Sequence, residues 1–244
     1  MITLQSTPAQ IRKELDQDEK RANYWFIKQH HGEKGYKKWR TEQCRKLWNS
    51  TEKELFSEPV EYNSPNGNRW LAYEHTSRDG QGGCYTFNYC VMYYETLGSV
   101  GAYVRMDAED RTLGKTIPGC IHFTPHFFQR FAERLGLEYR SRAMMLRFIQ
   151  LAHHHILKDK PTRDGYKDKE IVMRYPASYA FGTMRDVDGY RMVTVRTFMP
   201  VTMMTPKKKR ELQEYGEFSD NAIEFLEREH LNSISKEIHI PMLK

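Results

Sequence analysis

The chain has 244 residues, of which 39% are hydrophobic and 29% are charged, with 15 Tyr, 12 Phe and 4 Trp. This length and apolar content allow a sizeable core and exclude an intrinsically disordered protein. The formal net charge of +6 favours polyanionic partners such as nucleic acids, nucleotides or anionic surfaces.

The first twenty residues, MITLQSTPAQIRKELDQDEK, lack the basic-then-apolar order of a signal peptide. No run approaches the roughly 18 apolar residues that a membrane helix needs. The four cysteines, Cys44, Cys84, Cys90 and Cys120, form no CxxC pair. We therefore expect reduced thiols in a cytoplasmic protein with no membrane partner, and a secreted protein with two disulfides is the alternative.

Helical signals dominate the first fifty residues. Thr7, Pro8 and Gln10 match an N-cap, a first-turn proline and a capping-box partner. The stretch HHGEKG interrupts the apolar periodicity, and YKKWRTEQCRKLWNSTEKELF resumes it. We expect the second helix to place four residues on its apolar side: Tyr36, Trp39, Leu47 and Trp48.

From Glu58 to about Asp107 the composition changes to that of strands. RWLAYEHT, CYTFNYCVMYYET and GAYVRM are rich in aromatic and β-branched residues with partial alternation. SPNGNRW and RDGQGG have the composition of turns. We interpret DAEDRTLGKTIPG as a loop that leads into the helix of IHFTPHFFQRFAERLG.

Helices and strands alternate in the remaining part. The pattern predicts a helix from about Ser141 to Lys158, then the strands EIVMRYP and SYAFGTMRD. The DVDG turn joins the second strand to YRMVTVRTFMPV in a hairpin. Thr205 and Pro206 begin a basic helix, TPKKKRELQEYG, and Ser219 caps a last one.

These elements predict one α+β domain over residues 1–244. We expect an antiparallel sheet with helices packed against it and with helical N- and C-terminal segments. The alternative is a division into an N-terminal helical and strand region, 1–115, and a second α+β domain, 116–244.

Metal and cofactor motifs are incomplete. Cys120, His122 and His126 are close in sequence, and three histidines follow at 153–155, yet no second CxxC or HxxxH completes a ligand set. Adjacent histidines on a helix diverge by about 100°. DGQGGC lacks the lysine–serine ending of a phosphate-binding loop, and no GxSxG occurs. We expect neither a metal nor a cofactor.

A histidine and two arginines mark the stretch IHFTPHFFQRFAERLG. His126, Arg130 and Arg134 fall at i, i+4 and i+8, so a helix stacks them along one side. Histidine is suited to proton transfer near neutral pH, and arginine to phosphate oxygens. The row indicates phosphate chemistry, and an ordinary solvated helix face is the alternative.

HFFQRFAER resembles the histidine–arginine–glutamate–arginine helix, roughly HAxxRxxER, of small bacterial domains related to the barnase–colicin–RelE group of toxin ribonucleases. The later elements are similar in order, and MVTVRTF is like the family's threonine-bearing strand. The resemblance covers about residues 118–205, so a separate domain at 116–244 would be RelE-like. It implies a metal-independent ribonuclease with His126 as general base or acid and Arg130 and Arg134 on the scissile phosphate. Residues of the TVRT segment would complete the site: Thr194, Arg196 and Thr197.

Two basic segments could also contact nucleic acid. EKGYKKWRTEQCRKLW interleaves cations for phosphates with rings that stack on unpaired bases. PKKKRE places positive charge at the unfavourable end of the helix dipole. The alternative is that these helices bury their aromatic residues and solvate their lysines. The candidate nucleic-acid-binding residues are Lys37, Lys38, Trp39, Arg40, Lys207, Lys208 and Lys209.

The leading hypothesis is an RNA-directed ribonuclease, or an inactive relative that still binds RNA. The alternative is a non-enzymatic structural or interaction protein of a bacterial mobile element or phage, with a protein partner or a second copy at its aromatic strands. Ion pairs from the arginine row to Glu133 or Glu138 favour the second hypothesis. A cleft beside Thr194 or Thr197 favours the first.

Overall fold

The chain divides into two units. The first contains Met1–Pro125 and Met184–Thr194, and the second contains His126–Thr183 and Val195–Lys244. The expectation of one domain, with a split near residue 115 as its alternative, stays a prediction. The computed structural model describes residues 1–3, 6–30, 32–52, 54–78, 83–110, 115–152, 156–159, 168–175 and 177–214.

Two helices begin the first unit, α1 over Pro8–His30 and α2 over Gly32–Trp48. The capping box at the start of α1 is confirmed. The Thr7 amide donates to Gln10 Oε1 at 2.8 Å, and the Gln10 amide donates to Thr7 Oγ1 at 3.3 Å. These two bonds satisfy amides that a helix start otherwise leaves without partners.

The strands of the first unit form an antiparallel sheet beside these helices. Their order is β1-β3-β4-β5-β6, β2 also pairs with β3, and the 184–194 hairpin adjoins β6. Successive strands are joined by short connections, which antiparallel pairing permits. The strands are β1 (Glu54–Phe56), β2 (Val60–Asn63), β3 (Arg69–Arg78), β4 (Cys84–Thr96), β5 (Ser99–Asp110) and β6 (Lys115–Phe123).

One face of this sheet packs against α1. Ile11, Leu15 and Phe26 of α1 share a core with Trp70 of β3 and Met92 of β4. Burying such side chains fully is worth about 1.5–3 kcal/mol each. The apolar residues that recur at helical spacing in α1 therefore pack in one apolar layer with those that alternate along the strands.

Polar bonds fix the register of α1 along the sheet. Asp18 is fully buried and accepts hydrogen bonds from Ser64 Oγ at 2.6 Å, Asn66 Nδ2 at 3.1 Å and Asn68 Nδ2 at 2.7 Å. The stretch SPNGNRW, which was expected to be a turn, is thus hydrogen-bonded to α1. A buried carboxylate is tolerated here because these three donors and the Arg21 guanidinium, with Nη1 3.3 Å from Asp18 Oδ1, replace its water.

The loop interpretation of DAEDRTLGKTIPG was wrong for the residues that are described. β5 continues to Asp110 and β6 begins at Lys115, with cross-strand pairs from Ala102↔Phe123 to Asp110↔Lys115. Residues 111–114 lie outside the described part. Polar side chains lower strand propensity, but hydrogen bonding to a partner strand overrides that preference.

The second unit contains α3 from its second residue onward, α4, α5, β7, β8 and the parts of β9 and β10 outside residues 184–194, with the strands in the order β10-β9-β8-β7. His126 therefore lies at the start of a helix, as predicted. The full bounds of the remaining elements are α3 (Pro125–Leu135), α4 (Arg142–Ala152), β7 (Ile156–Asp159), β8 (Lys169–Tyr175), β9 (Ser178–Val187), β10 (Tyr190–Pro200) and α5 (Pro206–Glu214).

The DVDG hairpin is confirmed. Asp188 and Gly189 have φ angles of 51° and 71°, which a two-residue turn of the type I′ class requires at both central positions. The predicted basic helix is confirmed as α5, where the Lys208 amide donates to Thr205 Oγ1 at 3.3 Å. Thr205 is therefore its N-cap.

The predicted helix over Ser141 to Lys158 was too long. It ends at Ala152, and Ile156–Asp159 form a strand that pairs with β8, beginning with Ile156↔Arg174. The histidines at 153–155 and the helix expected from Ser219 lie outside the described residues. The α+β class with its antiparallel sheet is confirmed.

Candidate functional site

The apolar side of α3 is a core surface. Phe127, Phe128 and Phe131 are each at most 1% exposed. The Phe131 ring lies 4.9 Å from that of Phe198 in β10, and Phe128 lies 4.8 Å from Phe148 in α4. These edge-to-face contacts are the preferred geometry of aromatic pairs. The helix is therefore held in place by its phenylalanines.

The row beside those phenylalanines is engaged by the protein itself. Arg130 Nη1 lies 2.8 Å from Glu133 Oε2 on the exposed surface. Arg134 Nη1 donates to the carbonyl oxygen of Phe198. His126 is exposed to solvent. Two of the three predicted phosphate-chemistry residues thus already have partners within the second unit.

The TVRT residues differ in their surroundings. Arg196 is exposed and Thr197 is half-buried. Since side chains alternate along a strand, Arg196 shares a strand face with Phe198, which contacts α3, and Thr197 is on the other face. Thr194 is half-buried and belongs to the first unit. Within the second unit, therefore, Arg196 lies on the α3 side of β10 and Thr197 does not.

Cys120 is a core residue of the first unit, and His122 is partly buried. The His122 ring stacks on Tyr103 at 4.3 Å, and its Nε2 is 2.8 Å from the Tyr94 hydroxyl. Burial lowers the pKa of His122 to about 4 and raises the pKa of the Cys120 thiol to about 11. Both groups are therefore neutral at physiological pH. No cluster of three or more metal-binding side chains occurs in the described ranges.

The outward side of α2 carries cations in solvent. Lys37, Thr41, Arg45 and Trp48 fall at i, i+4, i+8 and i+11, and Lys38 lies beside them. All five are exposed. Among the described residues, the lysines and Arg45 have no ion-pair partner. We call Lys37, Lys38, Arg45 and Trp48 the α2 surface.

Trp48 was expected on the apolar side of α2, and that prediction was wrong. Its side chain is 57% exposed, whereas Leu47 is fully buried. Adjacent helix residues differ by about 100° in direction, so burying Leu47 turns Trp48 towards solvent. The regular spacing of Tyr36, Gln43 and Leu47 was the signal in the sequence for this choice.

Arg78 of β3 supports the exposed indole. Its guanidinium carbon lies 5.6 Å from the Trp48 ring centroid. The same guanidinium donates to the carbonyl oxygens of Leu47 and, at 2.9 Å, Ser50. These bonds satisfy carbonyls at the end of α2. Trp48 therefore has a cation against its ring and a fixed helix end beneath it.

The remaining α2 candidates are Trp39, which is half-buried, and Arg40, which is exposed. The Arg40 guanidinium lies 5.7 Å from the Tyr36 ring centroid, and Tyr36 donates to Asn88 at 2.9 Å. Burial raises the pKa of Glu74 to about 8, and the charge of Arg40 opposes that rise. Arg40 therefore interacts with groups of the protein's interior.

The α5 lysines are divided in the same way. Lys207 and Lys209 are exposed. Lys208 Nζ lies 3.3 Å from Glu211 Oε2 and 5.6 Å from the Phe181 ring centroid. The second unit thus offers two solvent-facing lysines at the start of α5.

Sequence reasoning did not identify an exposed aromatic pair on β4. Tyr85 and Phe87 are 46% and 50% exposed, and their rings stack at 6.4 Å. Thr86 and Asn88 alternate with them and face α2, where Asn88 accepts the Tyr36 hydrogen bond. The pair therefore lies on the sheet face opposite α2.

The chain matches no protein-family model, no curated protein and no solved structure. In the part of the chain that the structure describes, no helix combines the length and the apolar character needed to cross a membrane. What the protein does is therefore inferred from the geometry of its own residues.

Proposed function

We propose that this protein binds single-stranded RNA through the α2 surface. The observation that supports this proposal is the exposed indole of Trp48 at the end of a row of solvated cations, Lys37, Lys38 and Arg45. Large aromatic side chains are usually buried, because exposing an apolar ring to water is unfavourable. An exposed ring beside cations therefore indicates a contact site for a ligand.

The chemistry of this row suits a nucleic acid strand. Lysine and arginine neutralise phosphates and release the counterions condensed on them. A base that stacks on an exposed ring contributes about 1–3 kcal/mol. From Lys37 to Trp48 the helix rises about 16 Å, at about 1.5 Å per residue. Stacking requires an unpaired base, so the proposed ligand is single-stranded.

The proposal corresponds to the non-catalytic form of the RNA hypothesis. Arg130 and Arg134 interact with Glu133 and with the Phe198 carbonyl, so a phosphate would have to displace those partners. The α2 cations have no such partners among the described residues. Cleavage by His126 remains a separate hypothesis with a test of its own.

Removing the α2 cations tests the binding proposal. The variant K37A/K38A/R45A should weaken binding of a fluorescent single-stranded RNA by at least about 10-fold and lower the slope of log K against log salt by about 2–3. Thermal stability should not change. A matched control, K13A/K20A/K28A, removes three exposed cations from α1 and should alter affinity less than about threefold. Equal losses in the two variants would contradict a site on α2.

A separate assay tests catalysis. If the protein cleaves RNA in the presence of a chelator, His126→Ala should reduce the rate by about 10²–10⁴-fold without weakening binding. Binding without cleavage by the natural sequence would refute the ribonuclease hypothesis and leave the α2 proposal intact.

The Tyr85–Phe87 pair favours a second candidate function, self-association through β4. Exposed aromatic residues on a sheet face are typical of interfaces between protein chains. Sedimentation velocity over a concentration series should then show dimers that Y85S/F87S abolishes. A monomer at every concentration would exclude this candidate.

A further inference from the structure

Two half-exposed cysteines from different elements face each other in the first unit. Cys44 lies on α2 and Cys84 begins β4. Cys44 Sγ is 3.5 Å from the Cys84 carbonyl oxygen, and Cys84 Sγ is 3.8 Å from the Cys44 carbonyl oxygen. Each sulfur thus contacts the other residue's backbone, so the two residues are direct neighbours although 40 positions separate them in sequence.

We propose that Cys44 and Cys84 are a reversible dithiol–disulfide pair that links α2 to β4. All four cysteines are free thiols in the structure. A disulfide has a sulfur–sulfur distance of about 2.05 Å and needs neighbouring Cα atoms. Each sulfur already lies within 3.8 Å of the other residue's backbone, and forming the bond requires both side chains to rotate from the carbonyl oxygens towards each other.

The oxidant is a low-molecular-weight disulfide such as oxidised glutathione. One protein thiolate attacks a sulfur of the small disulfide, which forms a mixed disulfide and releases one small thiolate. The second protein thiolate attacks the protein sulfur of the mixed disulfide and releases the other. The two protein thiols lose two electrons and two protons, and the small disulfide gains them as two thiols.

The other two cysteines differ in both access and chemistry. Cys90 and Cys120 are 6% and 0% exposed. Burial raises the pKa of each thiol, so the reactive thiolate form is rare in both. Cys44 and Cys84 are each half-exposed. Oxidation should therefore select the α2–β4 pair.

The consequence reaches the α2 surface, because Cys44 immediately precedes Arg45. A disulfide would hold the second half of α2 against β4 and restrict the unfolded chain between two residues that are 40 positions apart. An effect of this disulfide on RNA binding through the α2 surface rests on the proposed function. Formation of the disulfide does not rest on it, because the disulfide is detected by mass.

The test uses the reduced full-length chain equilibrated with mixtures of oxidised and reduced glutathione, then alkylated and digested. Before alkylation, the intact oxidised protein should be lighter than the reduced protein by two hydrogen atoms. The digest should contain a peptide pair that joins positions 44 and 84. Dithiothreitol should reverse both changes. The melting temperature of the oxidised protein should rise by about 5–10 °C.

Single variants distinguish the pair from isolated reactive thiols. C44S and C84S should each retain one glutathione as a mixed disulfide and show no rise in melting temperature. The control C90A should still form the link. A link between other positions, a link between two chains, or glutathione on both cysteines of the natural sequence would each overturn the proposal. If RNA binding is absent while the 44–84 link forms, the proposed function fails and this inference stands.

Discussion

Helices α2 and α3 carry similar residues and use them differently. Each places basic side chains at helical spacing beside aromatic rings. In α3 the phenylalanines are buried and Arg134 donates to a carbonyl oxygen of the same unit. In α2, Lys37 and Lys38 are exposed and Trp48 is solvated. A cation that is hydrogen-bonded within the fold stabilises the fold, whereas a solvated cation is available to a ligand.

The largest effect is expected inside the α3 core. Phe131→Ala removes a ring in contact with Phe198 and Phe148. It should lower the free energy of unfolding by about 3–5 kcal/mol, because a cavity replaces the lost contacts. Urea denaturation of the variant and the natural sequence measures this difference. A loss below about 1 kcal/mol would show that α3 is not anchored by its apolar side.

Acid should act on the first unit, which carries α2, through His122. Burial lowers its pKa to about 4, below the value of about 6.5 in an unfolded chain. The unfolded chain therefore binds the proton first as pH falls. The stabilisation is complete above about pH 6.5 and is lost towards pH 4, by at most about 3 kcal/mol.

His122→Phe isolates this contribution because it keeps a ring against Tyr103 without a titrating group. Denaturation of both proteins at pH 4, 5, 6 and 7 should show a difference that changes over this range. The raised pKa of Glu74 acts in the opposite direction and is common to both proteins. A difference independent of pH would show that His122 is not protected from protonation.

The contrast between exposed and buried rings is sharpened by Trp48→Ala. Loss of stacking should weaken single-stranded RNA binding by about 1–3 kcal/mol without changing the salt slope, because no cation is removed. Quenching of tryptophan fluorescence by RNA should also decrease. Trp48→Phe, which keeps a ring, should retain most of the affinity. Unchanged RNA binding by the alanine variant would show that the Trp48 indole does not contact the RNA.

The smallest effects separate the two arginines of α3. Arg134→Ala removes this donor from the Phe198 carbonyl and should lower stability by about 1–2 kcal/mol. Arg130→Ala breaks an exposed pair with Glu133, which is worth about 0.5 kcal/mol or less. Thermal denaturation and RNA titration of both variants compare the two roles. Weaker RNA binding with unchanged stability would instead support the phosphate-binding hypothesis for this row.

Local chemistry made much of the fold predictable. The Thr7 capping box, the DVDG hairpin and the Thr205 cap depend on neighbours within a few residues, so the sequence contains all their determinants. The apolar stripe of α3 was also predictable, because three phenylalanines at helical spacing lie on one side of the helix and are stable only when that side is buried. The far end of the β5–β6 pairing, in which residues 107–110 pair with residues 115–118, was not, because its mostly polar residues are held in strands by hydrogen bonds to the partner strand.

For the candidate site, the sequence by itself determined which residues are basic or aromatic and which of them share a helix side. Only the tertiary structure decided which have partners. Arg134 meets a carbonyl 64 positions away, and Cys44 meets Cys84 across 40 positions. Trp48 is exposed because Leu47 occupies the buried side of α2. Helical periodicity fixes the direction of a side chain around the helix axis only to within about a quarter turn. Contacts between distant segments depend instead on how the whole chain packs.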